Sequence, residues 1–382
     1  MSYRQVVLHA MLVTSMAADC DVIQLLQSRT GEIHKNIISV LLEGERETVG
    51  PACSEGKLLP NIFVLGTQKA GTSTIGAALR KAGITSSSQM ILTGSETRKE
   101  SQIVALQFSD FAKEDLTDLK IQKRFATKWF KFFPNCSEEN ILRVTKQGSG
   151  PRIAEVSPVH LSLTKPHFGD DLAPLYLNQE GLRPGLDLLG FDLPPVLRYV
   201  YGPAHVAVRF CVTLREPLSR MQSDLHMEQR RHEVQSAPEV LKADLQAFID
   251  NRTASFRLWR ALSGRQLREW FAYWPAPQFL LFPHKLMKSH TDALCKSVEK
   301  HVQTPLDCQH FRENSFSRPH NSLEEDLPKS LRMKAEQALK GELELLVNVL
   351  LKAHSEGATL PVLERKAHVS AQDVRTWLVN EW

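Results

Sequence analysis

The chain has 382 residues, of which 42% are hydrophobic and 24% charged, with only 19 Gly and 20 Pro. This composition excludes a collagen-like, low-complexity or wholly disordered protein. The 47 Lys and Arg residues against 43 Asp and Glu residues give a net charge of +4, too small to indicate general binding to DNA or RNA, although it is compatible with a local anion site. The sequence contains no repeat of about 20 to 50 residues, which excludes solenoids and propellers.

Six cysteines are dispersed along the chain, at Cys20, Cys53, Cys136, Cys211, Cys295 and Cys308. They form neither a CxxC pair nor a Cys/His cluster at zinc spacing, so the pattern predicts neither a disulfide-rich scaffold nor a metal site. Cys295 and Cys308 are close enough in sequence to pair in a secretory protein. The pattern favours two free thiols over a disulfide there.

The amino-terminal residues 1–58 are expected to form a variable lead-in, partly helical around residues 21–42. Residues 6–17 are apolar but fall short of the roughly 20 residues that a membrane-spanning helix needs. Arg4 before them and small residues after them are typical of a weak signal-peptide core, and a buried amphipathic helix is an equal alternative. No other stretch is apolar enough to predict a membrane span.

A strand, a turn and a helix follow Pro60. Residues 61–65 are apolar β-formers, residues 66–73 contain Gly and Thr, and residues 74–82 have the spacing of an amphipathic helix. Backbone N–H groups of such a turn, with a helix dipole behind them, attract an anion. We call residues 66–73 the lysine loop.

The same alternation recurs along the chain. Residues 205–214 and 278–282 read as buried strands, each followed by a predicted helix, from residue 218 and over residues 292–302. Strands that alternate with helices predict a parallel sheet with helices on both faces. Further helical patterns cover residues 240–262, 265–273 and 327–351.

Two other stretches complete the predicted organisation. Residues 165–203 are rich in Pro and Gly and are expected to form an irregular surface insert. In the tail, Ser370 and Asp373 have the spacing of a capping box, which predicts one more helix.

The lysine loop differs from the Walker A motif GxxxxGK[ST], in which the lysine directly follows the second glycine and a Ser or Thr holds magnesium. Here Lys69 precedes Gly71 by two residues, and Thr72 occupies the lysine position. Lys69 supplies a mobile charge, and the Thr72 and Ser73 hydroxyls supply donors. The loop therefore fits a nucleotide without a β,γ-diphosphate and predicts no metal ion; an ordinary tight turn is the alternative.

A second candidate anion site follows the strand 205–214. Arg215 stands at the carboxyl end of this strand, where open α/β sheets bind ligands. Its planar guanidinium can donate two hydrogen bonds to one phosphate, and the Ser223 hydroxyl, two helical turns later, can donate to the same group. The alternative to phosphate binding is that Arg215 forms a surface ion pair with the adjacent Glu216.

These segments together resemble the sulfotransferase family that uses 3′-phosphoadenosine-5′-phosphosulfate (PAPS), above all the Golgi carbohydrate branch with the heparan sulfate N- and 3-O-sulfotransferases. The family motif QKxGT[ST], which holds the 5′-phosphosulfate, is matched throughout by residues 68–73. The family segment RDPxxRxxS, which holds the 3′-phosphate, is similar to residues 215–223, with Glu216 in place of Asp.

Weaker similarities follow in the family's order. Lys99 and Glu100 resemble the substrate-side KE pair, although Ile103 and Val104 replace the aromatic residues that usually follow it. Residues 155–158 resemble the ExSPxY segment that carries the catalytic glutamate.

Three further positions bear on the resemblance. His160 stands where the family usually has an aromatic residue. Residues 267–278 resemble the LxxWxxxFPxxQ stretch, and Arg318 begins a loop that stands where the family has KGRxHP, in a different order. We expect His160 and His226 to be surface or packing histidines.

The resemblance implies an α/β fold, a P-loop-type three-layer sandwich with a central parallel sheet flanked by helices. Its sulfotransferase domain would cover residues 59–351, with the insert at 165–203 and a helical tail at 352–382. The implied acceptor is a carbohydrate, with a small-molecule alcohol or amine as the alternative, and neither a nucleic acid nor a metal ion is expected. The implied location is the secretory pathway or Golgi lumen, with the cytoplasm as the alternative.

The resemblance also implies roles for individual residues. Lys69 would stabilise the leaving group, Glu155 would take the acceptor proton, and Lys99 would steady the sulfonate. For Glu155 the alternative is a salt bridge or helix cap, and for Lys99 a solvated side chain. A P-loop nucleotide kinase or NTPase and a non-catalytic nucleotide-binding relative are the competing functions. The implied nucleotide-binding residues are Gln68, Lys69, Ala70, Gly71, Thr72, Ser73, Arg215, Ser223 and Arg318.

Overall fold

The computed structural model describes residues 51–67, 69–87, 111, 114–145, 151–157, 160–164, 176–178, 192–313, 323–366 and 368–381. All of these described residues belong to one compact unit. The predictions for residues 6–17 and 21–42 lie outside the described residues.

The strands are β1 (Ala52–Ser54), β2 (Lys57–Leu59), β3 (Ile62–Val64), β4 (Thr85–Ser86), β5 (Ile153–Val156), β6 (Tyr176–Asn178), β7 (Arg209–Leu214), β8 (Thr253–Ser255) and β9 (Phe279–Pro283). Five of them form a parallel sheet in the order β4-β5-β3-β7-β9. The predicted parallel sheet is therefore confirmed. β1 and β2 form an antiparallel pair, and β6 and β8 form a parallel pair.

The helices are α1 (Thr72–Lys81), α2 (Leu119–Phe130), α3 (Glu138–Val144), α4 (Leu193–Tyr201), α5 (Pro217–Arg230), α6 (Ala237–Asn251), α7 (Phe256–Trp259), α8 (Ser263–Tyr273), α9 (Leu286–Ser289), α10 (Thr291–Val302), α11 (Cys308–Glu313), α12 (Leu323–Asp326), α13 (Lys329–Ser355) and α14 (Ala371–Asn380). Short 3₁₀ turns cover His160–Ser162, Gly202–Ala207, Ala276–Gln278 and Leu363–Arg365. The predicted strand–loop–helix around the lysine loop is confirmed.

Aromatic side chains fill one face of the sheet. Phe63 of β3 is fully buried, with its ring 6.0 Å from that of Tyr201 on α4 and 5.7 Å from that of Phe210 on β7. Phe210 in turn contacts Trp270 and Trp274, from α8 and the residue that follows it, at 5.3 and 4.8 Å between ring centroids. These contacts hold α4 and α8 on this face of the sheet.

The opposite face of the sheet is covered by α1. A Cβ added to Gly76 of α1 would lie 3.1 Å from Cγ1 of Val156 on β5, so helix and strand are in close contact there. Side chains of successive strand residues point to opposite faces. Helices therefore lie on both faces of the sheet, which confirms the three-layer α/β architecture.

The pattern over residues 240–262 predicted one helix, which is wrong. α6 ends at Asn251 because Arg252 adopts a left-handed conformation with φ 55°, and β8 starts at Thr253. The Arg252 guanidinium donates to the Ala338 carbonyl at 3.0 Å and to Glu342 at 3.2 Å. These contacts with α13 lie 86 and 90 residues away in sequence, where local periodicity cannot reveal them.

Two other stretches differ from their predicted structure. Within residues 165–203, which were expected to be irregular, α4 is a helix with buried apolar side chains, and Pro194 and Pro195 fall in its first turn, where a missing N–H is tolerated. The strand predicted over residues 205–214 starts only at Arg209, because a 3₁₀ turn takes up its first residues.

The described residues include two disulfides, Cys53–Cys136 and Cys295–Cys308. The expectation of free thiols at Cys295 and Cys308 is therefore wrong, because α10 and α11 bring their Cα atoms to 5.5 Å. Cys53–Cys136 links β1 to the segment between α2 and α3 across 83 residues, a separation that gives no signal in the sequence. Cys211 is a buried free thiol.

The predicted tail helix is confirmed, because Ser370 and Asp373 form a capping box at the start of α14. Among the helices of the described residues, none is long and apolar enough to cross a membrane.

Candidate functional site

The lysine loop is fixed to the neighbouring strand by backbone and side-chain hydrogen bonds. The Leu65 N–H donates to the Cys211 carbonyl at 3.0 Å. The N–H and the Oγ1 of Thr67 both donate to the Thr213 carbonyl, at 2.8 and 2.9 Å. The loop therefore starts in a fixed position at the carboxyl ends of β3 and β7, the edge at which α/β sheets bind ligands.

The backbone of the lysine loop turns sharply through left-handed conformations. Gly71, the residue before α1, has φ 87°, which glycine adopts without strain. Lys69 has φ 69°, an uncommon conformation for a residue with a Cβ atom, and residues of this kind cluster at ligand-binding sites. The strained position thus coincides with the lysine that the sequence singles out.

The loop also presents the first turn of α1. No side chain caps this helix, and the Ala70 N–H is used inside the turn, where it donates to the Thr67 carbonyl at 3.1 Å. The N–H groups at a helix start have no acceptor within the helix and carry the positive end of its dipole. Those of Thr72 and Ser73 lie at this positive end of α1, where an anion would bind.

Arg215 meets the lysine loop directly. Its Nη1 donates to the Lys69 carbonyl at 2.6 Å, 146 residues away in sequence. Burial lowers the pKa of Arg215 to about 10, with Glu216 acting to raise it and Arg220 to lower it. The guanidinium is therefore still charged at neutral pH. The two predicted anion sites share one edge of the sheet.

The side chain of Lys69 points toward the helix that follows Arg215. Its Nζ lies 3.7 Å from the Sδ of Met227 on α5. Ser223 is four residues before Met227, which places the two on one face of the helix. The structure therefore brings the three residues Lys69, Arg215 and Ser223 to the same region.

Glu216 is the amino-terminal cap of α5. Its two carboxylate oxygens accept hydrogen bonds from the N–H groups of Leu218 at 2.9 Å and Ser219 at 2.6 Å. Pro217 follows in the first turn, where its lack of an N–H is harmless. The Glu216 side chain caps the helix as a shorter acidic side chain does at many helix starts. Glu216 in place of Asp therefore keeps the start of α5 intact.

A buried ion-pair network lies behind α5, formed by Arg220, Asp224, Glu228, Asp244 and Arg257. Arg220 pairs with Asp224 at 2.9 Å, and both side chains are almost completely buried. Arg257 pairs with Glu228 at 2.7 Å and with Asp244 at 3.5 Å. The Arg220 Nη1 donates to the Arg257 carbonyl at 2.5 Å. The network joins α5 to α6 and α7 and so fixes the helix that carries Ser223.

Besides the lysine loop and Arg215, residues at the end of β9 form a third wall of the site, which the sequence did not predict. The His284 N–H donates to the Leu214 carbonyl at 2.8 Å, beside Arg215. Met287 of α9 lies over the lysine loop: its Cε is 2.6 Å from the position that a Cβ would take on Gly71. The predicted strand 278–282 was the only signal for this wall, since it indicated a third strand ending at the same edge.

Glu155 lies one strand away, in β5. It is completely buried, pairs in register with Phe63, and accepts a hydrogen bond from the Ser87 hydroxyl. Because Val156 faces α1, Glu155 points to the opposite face of the sheet, toward α4. Its catalytic role stays a prediction.

Gln68, Lys99 and Arg318 lie outside the described residues, so their predicted roles stay predictions. Of the two histidines expected to be surface or packing residues, His160 is completely buried, and burial lowers its pKa to about 3. His226 contacts Asp326 of α12, with 2.5 Å between Nε2 and Oδ2.

The described part of the chain contains no group of three or more His, Cys, Asp or Glu side chains that could hold a metal ion. Lys69 and Arg215 both bring positive charge to this edge.

The sequence matches no family model and no curated protein. Among solved structures, the fold is similar to that of a sulfotransferase from Alicyclobacillus acidocaldarius, with a TM-score of 0.41 and 14% sequence identity. The match covers 76% of this chain and 96% of that chain. The chemistry of the site is therefore inferred from its own residues.

Proposed function

We propose that this protein is a sulfotransferase that moves the sulfuryl group of PAPS to a hydroxyl or amine of an acceptor. The observation that carries the proposal is the 2.6 Å hydrogen bond from Arg215 to the Lys69 carbonyl. It supports a single ligand that carries phosphate at two places, because both anion-binding segments end at one edge of the sheet. PAPS has phosphate on both the 5′ and the 3′ carbon of its ribose.

The two segments would bind different ends of this nucleotide. Lys69 and the first N–H groups of α1, those of Thr72 and Ser73, would hold the 5′-phosphosulfate. Arg215 and Ser223 would hold the 3′-phosphate by charge-assisted hydrogen bonds, which are stronger than neutral ones. Nucleotides without a 3′-phosphate would lose those bonds, so the Arg215 side of the site would provide selectivity for PAPS.

Sulfuryl transfer needs in-line positioning, charge stabilisation and a base. A bond forms between the acceptor oxygen or nitrogen and sulfur, while the bond between sulfur and the 5′-phosphate oxygen breaks and leaves its electron pair on that oxygen. Lys69 would stabilise this negative charge. Glu155 would take the acceptor proton, which requires the acceptor to reach β5 from the α4 side of the sheet. Lys99 would contact the sulfonate.

We further propose a carbohydrate acceptor and a location in the lumen of the secretory pathway, as the resemblance to the Golgi enzymes implies. The two disulfides, Cys53–Cys136 and Cys295–Cys308, support this location, because disulfides persist in oxidising compartments and are rare in the cytosol.

The test compares ligands by thermal shift and then measures transfer of radiolabelled sulfate from PAPS to a panel of glycans and small alcohols. The product nucleotide 3′-phosphoadenosine-5′-phosphate (PAP) should protect the fold, by about 2.7 kcal/mol at 100 times its dissociation constant, and Mg-ATP should not. Protection by Mg-ATP alone would identify a nucleotide kinase or NTPase instead. Binding of PAP without transfer to any acceptor would identify a non-catalytic relative.

A further inference from the structure

His284 lies at the carboxyl end of β9, beside the residues proposed to bind the 3′-phosphate. β9 pairs with β7 so that Pro283 lies opposite Leu214, and the His284 N–H donates to the Leu214 carbonyl at 2.8 Å. Arg215 is the residue that directly follows β7. His284 and Arg215 therefore leave adjacent strands at the same level of the sheet edge.

The imidazole of His284 is placed to gain a ligand. Its Nδ1 is buried and, among the described residues, has no hydrogen-bond partner. A buried polar atom without a partner destabilises the fold unless a water, an ion or a ligand satisfies it. Met287, a residue of the neighbouring helix α9, covers Gly71 of the lysine loop. His284 is thus next to residues that border the proposed nucleotide site.

The charges around His284 are positive. Burial, and after it the charges of Arg215, Lys285 and Lys288 in that order, lower its pKa to about 3. Two acidic side chains of the adjoining segments have other partners: Glu216 caps α5, and Glu381 pairs with His290 at 3.6 Å. In this arrangement the imidazole is neutral at physiological pH, and an anion that binds Arg215 would offset much of the surrounding positive charge.

We propose that His284 is a further ligand of the phosphate bound by Arg215, and that it takes up a proton when this phosphate binds. The inference rests on the proposed function, since it assumes the 3′-phosphate as the anion. A phosphate beside the imidazole favours its charged form, and the imidazolium then donates a charge-assisted hydrogen bond to a phosphate oxygen. Nucleotide binding becomes linked to proton uptake.

The experiment is isothermal titration of PAP at pH 7 in two buffers with different ionisation enthalpies, which gives the number of protons taken up on binding. The wild type should take up about half to one proton more than His284→Gln, because the neutral imidazole of the free protein gains at most one proton when the bound phosphate raises its pKa. The variant should also bind PAP about 10- to 100-fold more weakly, as expected for a lost hydrogen bond to a charged group. With adenosine 5′-phosphate, which lacks the 3′-phosphate, wild type and variant should take up equal numbers of protons.

His290→Gln is the matched control, because this exposed histidine follows α9 directly and pairs with Glu381; it should behave as the wild type. If His284→Gln does not fold, His284→Asn replaces it, and the comparison of PAP with adenosine 5′-phosphate on the wild type is made regardless. Equal proton uptake and affinity in wild type and variant would overturn the role of His284 while leaving the proposed function intact. Absence of PAP binding to the wild type would overturn both.

Discussion

The two parts of the proposed nucleotide site are built in different ways. The lysine loop is local: its lysine, glycines and hydroxyls lie within eight consecutive residues, and backbone bonds to β7 fix it. The Arg215 side depends on α5, which is held by the buried ion-pair network with partners such as Arg257, 29 residues beyond Glu228. We infer that substitutions in the loop change ligand binding and turnover, whereas substitutions in the network change stability first.

The largest expected effect is on the network. Asp224→Asn removes the carboxylate that pairs with the buried Arg220 at 2.9 Å, and breaking a buried ion pair in this way destabilises a protein by about 3–5 kcal/mol. Urea unfolding measures this loss. The matched control is Glu336→Gln, which breaks an i,i+4 pair with Arg332 that is 33% and 50% exposed and should change stability by less than about 1 kcal/mol. Equal small losses in both variants would contradict the structural role of the network.

The next effect is on turnover. Lys69→Ala should reduce PAPS-dependent sulfate transfer by about 10²- to 10³-fold, the usual effect of removing one group that stabilises charge in the transition state. Its unfolding midpoint should stay close to that of the wild type. Lys81→Ala is the control, because Lys81 is at the other end of α1 in an exposed pair with Asp307 at 2.6 Å. Transfer by Lys69→Ala within a few-fold of the wild type would show that the loop has been misassigned.

Two glycine substitutions, with smaller expected effects, distinguish the cost of backbone strain in the lysine loop from an effect on nucleotide binding. Gly71→Ala and Gly56→Ala both place a Cβ on a residue with positive φ, at 87° and 70°, which costs about 1–2 kcal/mol. A Cβ at Gly56 meets nothing within 4 Å, whereas one at Gly71 meets Met287, whose flexible end can move aside. We expect similar losses of stability, measured by urea unfolding, but weaker PAP binding only in Gly71→Ala. Weaker PAP binding in both variants, or in neither, would contradict this.

The same contrast explains what could be read from the sequence. The lysine loop, the strand before it and the start of α1 were predictable because turn residues, β-formers and helix spacing lie side by side. Arg215 was predictable as a phosphate ligand from its position after a strand. His284 and Met287 were missed, because nothing near them in sequence indicates that α9 covers the loop.

Long-range contacts account for the other differences. The break at Arg252 depends on α13, and the disulfide Cys53–Cys136 depends on packing between segments 83 residues apart. α4 was hidden by its two prolines, which lie where a helix tolerates them. In each case the structure depends on a tertiary contact or on where a residue lies within a helix, and local composition alone does not reveal it.

The central claim is that the lysine loop and the Arg215 side bind opposite ends of one nucleotide. The most direct measurement is the ratio of the dissociation constants of adenosine 5′-phosphate and PAP. This ratio should be about 10 to 100 or more in the wild type, since the 3′-phosphate adds hydrogen bonds to charged groups. It should fall toward 1 in Arg215→Ala and, less far, in Ser223→Ala, and stay at the wild-type value in Lys69→Ala, which weakens both ligands alike. An unchanged ratio in Arg215→Ala would contradict the claim.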